Sequence, residues 1–145
     1  MNQGIHGIDL LQWFMGPVKS VYALTKTLVH DIEAEDTAAA LLEFESGAIG
    51  VIEGTTSIYP DLSQVIQIQG SKGCVTLTGT EVPKVTFLEC ADGKRECFKE
   101  DWSDELGEGH ALQVEDVIDS ILQNRPPAID GYEGRKALEI VLAIY

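Results

Sequence analysis

Asn2, His6, Asp9 and Trp13 stand near the amino end of the chain at spacings of four, three and four residues. At about 100° per residue in an α-helix they fall on one stripe roughly 60° wide. An amide, an imidazole and a carboxylate then lie in a row, with an indole beyond them. Ile5, Ile8, Leu10, Leu11, Phe14 and Met15 cover the rest of the cylinder, so the pattern predicts a helix buried everywhere else. Polar groups in such a setting are costly unless partnered, which marks the row as a candidate site. An imidazole exchanges a proton near neutral pH, the chemistry of a general base. The plainer account is a helix cap followed by a satisfied core histidine, and spacing alone leaves both open.

The elements that must hold this row follow from periodicity. A helix is predicted from Ile5 to Met15, stopped by Gly16-Pro17, because proline cannot continue a helix and pushes its predecessor to extended geometry. Val18 to Val29 reads as strand. Thr37 to Phe44 and Ala48 to Ile58 flank a turn at Ser46-Gly47. Gln64 to Gln69 alternates with period two, as a half-buried strand does, and Gly70-Ser71-Lys72-Gly73 turns it into Cys74 to Thr78. Val85 to Cys90 and Arg95 to Phe98 form a further hairpin about Asp92-Gly93. Glu100 to Gly109 reads as an acidic exposed loop. His110 to Leu122 is helical, with Leu112, Val114, Val117, Ile118, Ile121 and Leu122 on its apolar face and Glu115, Asp116 and Asp119 opposite. Gly131 to Gly134 leads into a last helix.

A helix, a run of hairpin-linked strands and two closing helices give an α+β fold: a large, mostly antiparallel open sheet with helices on one face. Ala38, Ala40, Leu42 and Phe44 alternate with Ala39, Leu41 and Glu43, so both faces of the sheet carry apolar residues. The second face is then available for oligomerisation. Tyr59-Pro60-Asp61 breaks the strand pattern and is expected to form a loop.

The chain has 145 residues, one domain by length, with 24 Asp plus Glu against 10 Lys plus Arg and a net charge of −14. That balance argues against nucleic acid and against anionic membrane surfaces as partners. No run reaches the roughly 20 apolar residues of a membrane span, and no signal-peptide pattern opens the chain; a cytoplasmic protein is expected. Cys74, Cys90 and Cys97 fit no zinc spacing. A Cys90–Cys97 bridge across the hairpin is conceivable, but free thiols in a reducing compartment are the preferred reading. His6, Asp9 and Asp36 show no metal-ligand pattern, and no metal is expected. Gly70-x-x-Gly73 lacks the Lys-Ser/Thr of a phosphate loop and reads as a plain turn. His30 and His110 read as surface residues. Glu139 to Tyr145 ends without a capping residue, and the chain is read as a domain cut from a longer protein.

The opening string Asn2-Gln3-Gly4-Ile5-His6-Gly7-Ile8-Asp9-Leu10-Leu11 resembles the signature that begins the C-terminal domain of the Gfo/Idh/MocA oxidoreductases, where the usual pattern is Asp-x-Gly-x-His-x-x-Asp followed by an apolar helix. Glu35-Asp36-Thr37-Ala38 with Phe44-Glu45-Ser46-Gly47-Ala48 is similar to the family's paired strands, and Ile68-Gln69-Gly70-Ser71-Lys72-Gly73 to its next hairpin. His110-x-x-Gln113-x-x-Asp116, Pro126-Pro127 and Gly131-x-x-Gly134-x-x-Ala137-Leu138 resemble its closing helices.

The resemblance implies a second half, an N-terminal Rossmann domain that binds NAD or NADP, and hydride transfer to or from a hydroxyl carbon of a sugar, nucleotide sugar or polyol. It implies His6 as the catalytic histidine and Asn2, Gln3 and Asp9 as substrate-binding residues, with cofactor contacts lying outside this chain. It also implies association of like chains through the sheet face. Asn2 departs from the family's usual Asp: an amide orients a hydroxyl but carries no proton. Two other readings share the scaffold. One is an NAD-dependent glycosidase that oxidises its sugar transiently; the other is a sensor that binds dinucleotide or sugar without turnover.

Overall fold

The computed structural model describes residues 4–79, 83–97 and 108–145. The chain divides into two compact units, residues 1–61 with 129–145, and residues 62–128. The fold is α+β, as the order of elements predicts, and hydrogen bonding divides the described strands into two antiparallel sheets, one of three strands and one of four.

In the first unit, α1 (Gly4–Met15) is followed by β1 (Val18–Lys26), β2 (Thr37–Phe44), β3 (Ile49–Thr55) and, from the far end of the chain, α3 (Gly131–Ile144). Gly16, with φ of +82°, ends α1 and donates its amide to the Gln12 carbonyl at 2.8 Å. This is a left-handed cap that glycine adopts without a Cβ penalty. β2 sits in the middle of its sheet, and its residues alternate between buried and exposed through Ala38, Ala40, Leu42 and Phe44. The β2–β3 turn closes with Phe44 N to Ala48 O and Gly47 N to Phe44 O, both 2.9 Å, with Gly47 at φ +83°. This is a three-residue hairpin loop with glycine at its left-handed position.

The core lies between this sheet and the two helices. Ile8 from α1 and Ala137, Ile140, Val141 and Ile144 from α3 meet the inner row of β2, and Phe44 is wholly buried. Each of the larger apolar side chains among them contributes roughly 1.5–3 kcal/mol by leaving water, and Ala137 less. α3 begins at an N-cap, Asp130, whose carboxylate accepts from the amides of Tyr132 (2.8 Å) and Glu133 (3.0 Å).

The other face of the three-stranded sheet is bare. Cross-strand pairing sets Tyr22, Leu41 and Val51 in one row and Leu24, Ala39 and Glu53 in the next. Leu41 is half exposed, and Tyr22, Leu24, Ile49 and Val51 more so. Toward the β2–β3 turn the face becomes polar, where Lys19 bonds Glu43 at 2.8 Å.

The second unit is a meander, β4 (Gln64–Gly70), β5 (Gly73–Gly79), β6 (Lys84–Cys90) and β7 (Arg95–Cys97), followed by α2 (Glu108–Gln123). Gly70 and Gly73 pair with one another at the β4–β5 turn, and a Cβ on Gly73 would run into the Glu89 carbonyl oxygen. Gly73 thus serves strand approach in a turn between two strands, and the plain-turn reading of Gly70-x-x-Gly73 holds. Cys97 lies opposite Phe87 and Cys90 bonds Lys94, so the hairpin does not bring Cys90 and Cys97 together, and all three thiols are free.

α2 ends in a Schellman-type cap, with Asn124 at φ +50° and Arg125 N reaching the Ser120 carbonyl at 3.0 Å. Its apolar stripe departs from the expectation of a covered face: Leu112, Val114, Val117, Ile118, Ile121 and Leu122 are all exposed, and Ser120 is buried. Asp116, expected simply to face water, anchors the connector. Its carboxylate accepts from Ala128 N (2.7 Å) and Arg125 Nη2 (2.8 Å), and these bonds hold its carboxyl below the usual range. The predicted acidic loop falls outside the described residues apart from its last two positions, which open α2. Among the described residues no helix is long and apolar enough to cross a membrane.

Candidate functional site

The helix that carries the candidate row forms as predicted, but its setting differs. Only Ile8 of α1 is buried; Ile5, Leu11 and Met15 are half-buried against the core, and His6, Asp9, Trp13 and Phe14 are exposed. Ile8 lies about 160° around the helix from His6. The row is therefore the helix's solvent side, and no buried polar group is involved. The desolvation argument that singled these residues out does not apply, while the alignment itself survives. His6 and Asp9, three residues apart, are neighbours on the helix surface. Asn2 and Gln3 lie outside the described residues.

β1 pairs antiparallel with β2, so that Lys26 at its end stands beside Thr37, which in turn pairs with Thr55 of β3. Two loops share that end of the sheet: residues 27–36, between β1 and β2, and residues 56–61, after β3. Asp36, 2% exposed, is the group that organises them. Its carboxylate accepts the amides of Leu28 (2.9 Å), Val29 (2.7 Å) and His30 (3.0 Å) and the Thr37 hydroxyl (3.1 Å). The amides of His30 and Val29, then those of Leu28 and the Thr37 hydroxyl, hold its carboxyl well below the usual carboxylate range. His30 Nε2 lies 3.1 Å from the Thr56 carbonyl, which ties the second loop to the first; this exposed imidazole is a structural fastening. Thr37, Thr55 and Ser57 hydroxyls bond one another at 3.0–3.2 Å beside it. Tyr59, in the expected loop, is almost fully exposed.

Sequence reasoning missed this Asp36 fastening. The only signal was an acidic residue directly before a strand, and its partners are backbone amides that no residue type reveals. At the other end of α1, a groove of about 350 Å³ is lined by Gln12, Val18, Lys136, Glu139 and Ile140 among others; it does not include His6 or Asp9. Among the described residues no group of three or more His, Cys, Asp or Glu is placed to hold a metal ion. Nor does any glycine-rich turn among them open a helix in the manner of a dinucleotide site.

Residues 1–76 match the model of the GFO/IDH/MocA C-terminal domain. The chain belongs to this family. The WlbA dehydrogenase from Bordetella pertussis, solved in complex with NADH and UDP-GlcNAcA, is 39% identical to it. The likeness extends over 100% of this chain and 40% of that one, with a TM-score of 0.81. The WlbA dehydrogenase from Chromobacterium violaceum, solved with the same two molecules, is 36% identical over 100% of this chain and 42% of its own, with a TM-score of 0.77. Myo-inositol 2-dehydrogenase from Thermotoga maritima is 25% identical over 143 residues, 95% of this chain and 43% of that protein. The chain thus spans about two fifths of the length of these relatives.

Proposed function

We propose that this chain is the substrate-binding C-terminal domain of an NAD(P)-dependent oxidoreductase that acts on a hydroxyl carbon of a nucleotide sugar, sugar or polyol. The observation that carries the reading is the open row of His6 and Asp9 on the solvent side of the family's opening helix. The likeness to WlbA dehydrogenases, whose structures hold NADH and UDP-GlcNAcA, favours a nucleotide sugar. Nicotinamide, when bound, supplies the hydride acceptor. Its binding is assigned to chain outside these 145 residues, in keeping with relatives more than twice as long.

The roles of this chain's residues follow from alcohol oxidation. As the carbinol carbon gives up its hydride, the hydroxyl must lose a proton, and an imidazole at His6 takes it. Asp9, on the same stripe, accepts a hydrogen bond from a substrate hydroxyl and fixes the sugar's orientation. Asn2 and Gln3 are assigned to orienting substrate hydroxyls, with the amide of Asn2 unable to share the proton. The bare sheet face is assigned to association with like chains, and the free cysteines fit the reducing cytoplasm.

The test is His6→Ala in the full-length protein. Turnover should fall by about 10²–10⁴-fold, while the dinucleotide dissociation constant stays within about twofold. Unchanged turnover would remove His6 from the mechanism.

A further inference from the structure

Trp13 is 71% exposed and Phe14 beside it 40%, their rings 5.0 Å apart and tilted by 57°. Trp13 stands within about 20° of His6 around α1 and about 10 Å further along its axis. A large aromatic side chain left bare beside a polar row is the composition of an interface anchor, since tryptophan gives up more surface on docking than almost any other residue. We propose that Trp13 is the anchor on which the cofactor-holding part of the full-length protein packs against this domain. This rests on the reading of His6 as the proton acceptor.

The choice of occupant follows from reach. Under that reading a nicotinamide must stand against the His6 side of α1, and it is carried by chain outside these 145 residues. The relatives are more than twice as long as this chain, enough for a cofactor-binding domain of ordinary size. A body of that size, approaching His6 along its stripe, also meets Trp13 about 10 Å further along the same helix face. Trp13 is the large apolar group on that stripe, and Phe14 flanks it. A second copy of the chain has a different and wider apolar surface to use, the sheet face around Tyr22, Leu41 and Val51.

Hydroxyl-radical footprinting of the full-length protein, read residue by residue by mass spectrometry, tests the assignment with Tyr59, 98% exposed, as internal reference. Trp13 should oxidise at least about tenfold more slowly than Tyr59 despite the higher intrinsic reactivity of indole, and the protection should persist on hundredfold dilution. Oxidation at the rate of Tyr59 overturns the proposal. So does protection that vanishes on dilution, which assigns the cover to a second copy.

Kinetics give an independent readout. Trp13→Ala should lower kcat by about tenfold or more at saturating substrate by loosening the cofactor's position, and Trp13→Phe should restore most of it. A lowered melting temperature with kcat unchanged makes Trp13 merely structural and overturns the proposal. If His6→Ala abolishes turnover while Trp13 oxidises freely, the enzyme reading stands and this inference fails. If Trp13 is protected but the protein turns over no nicotinamide, the packing stands and the hydride reading fails.

Discussion

At the scale of single residues, the best-defined interaction is the Asp36 carboxylate that gathers three consecutive amides. Such bonds favour the charged form, so the folded chain binds this proton less readily than the unfolded chain, where an aspartate titrates near 3.9. The stabilisation is present above that unfolded value and is lost as pH falls through the lower folded value. Asp36→Asn should therefore melt several degrees lower at pH 7, and its stability should decline less steeply than the wild type's as the pH is taken below about 4. Thermal melts across pH 2–7 check both. The residue scale is also where the sequence was least legible. Asp36 stands in the segment that resembles the family's paired strands, yet its fastening role is not legible there, because donors six to eight positions away on the backbone leave no trace in residue types. The row of His6 and Asp9 was visible, since helical spacing alone aligns it. Its exposure was not, because six apolar neighbours implied a burial that only Ile8 fulfils.

At the scale of elements, β2 shows why hairpins are readable and coverings are not. Its bounds, its alternation and the Ser46-Gly47 turn follow from local chemistry, and the structure reproduces Thr37–Phe44 as predicted. The apolar stripe of α2 is equally regular and yet uncovered: periodicity names a face and says nothing of what lies against it. Within the first unit Gly50 of β3 lies close against the Phe44 ring of β2. A Cβ at Gly50 would stand 2.9 Å from Phe44 Cε2. Gly50→Ala should destabilise the domain by about 1–3 kcal/mol through overpacking, and Phe44→Ala by about 3–5 kcal/mol through the cavity it leaves. Because both act on one space, the double variant should lose less than the sum. Urea denaturation of the four proteins measures this; strict additivity would mean that the ring does not fill the space over Gly50.

At the scale of the whole molecule, the three-stranded sheet has one face closed by α1 and α3 and one face open. Association through the open face, proposed above, places Leu41 near the middle of the contact, between Tyr22 and Val51. Leu41→Lys should leave the monomer fold intact, because the side chain already faces water, and should shift the assembled protein toward monomer in sedimentation experiments. An unchanged assembly would move the contact elsewhere. The open face has a further thermodynamic consequence. A surface that is buried only when chains meet makes folding and association a linked equilibrium, so the denaturation midpoint of the assembled protein should rise with the logarithm of protein concentration. Leu41→Lys should flatten that slope.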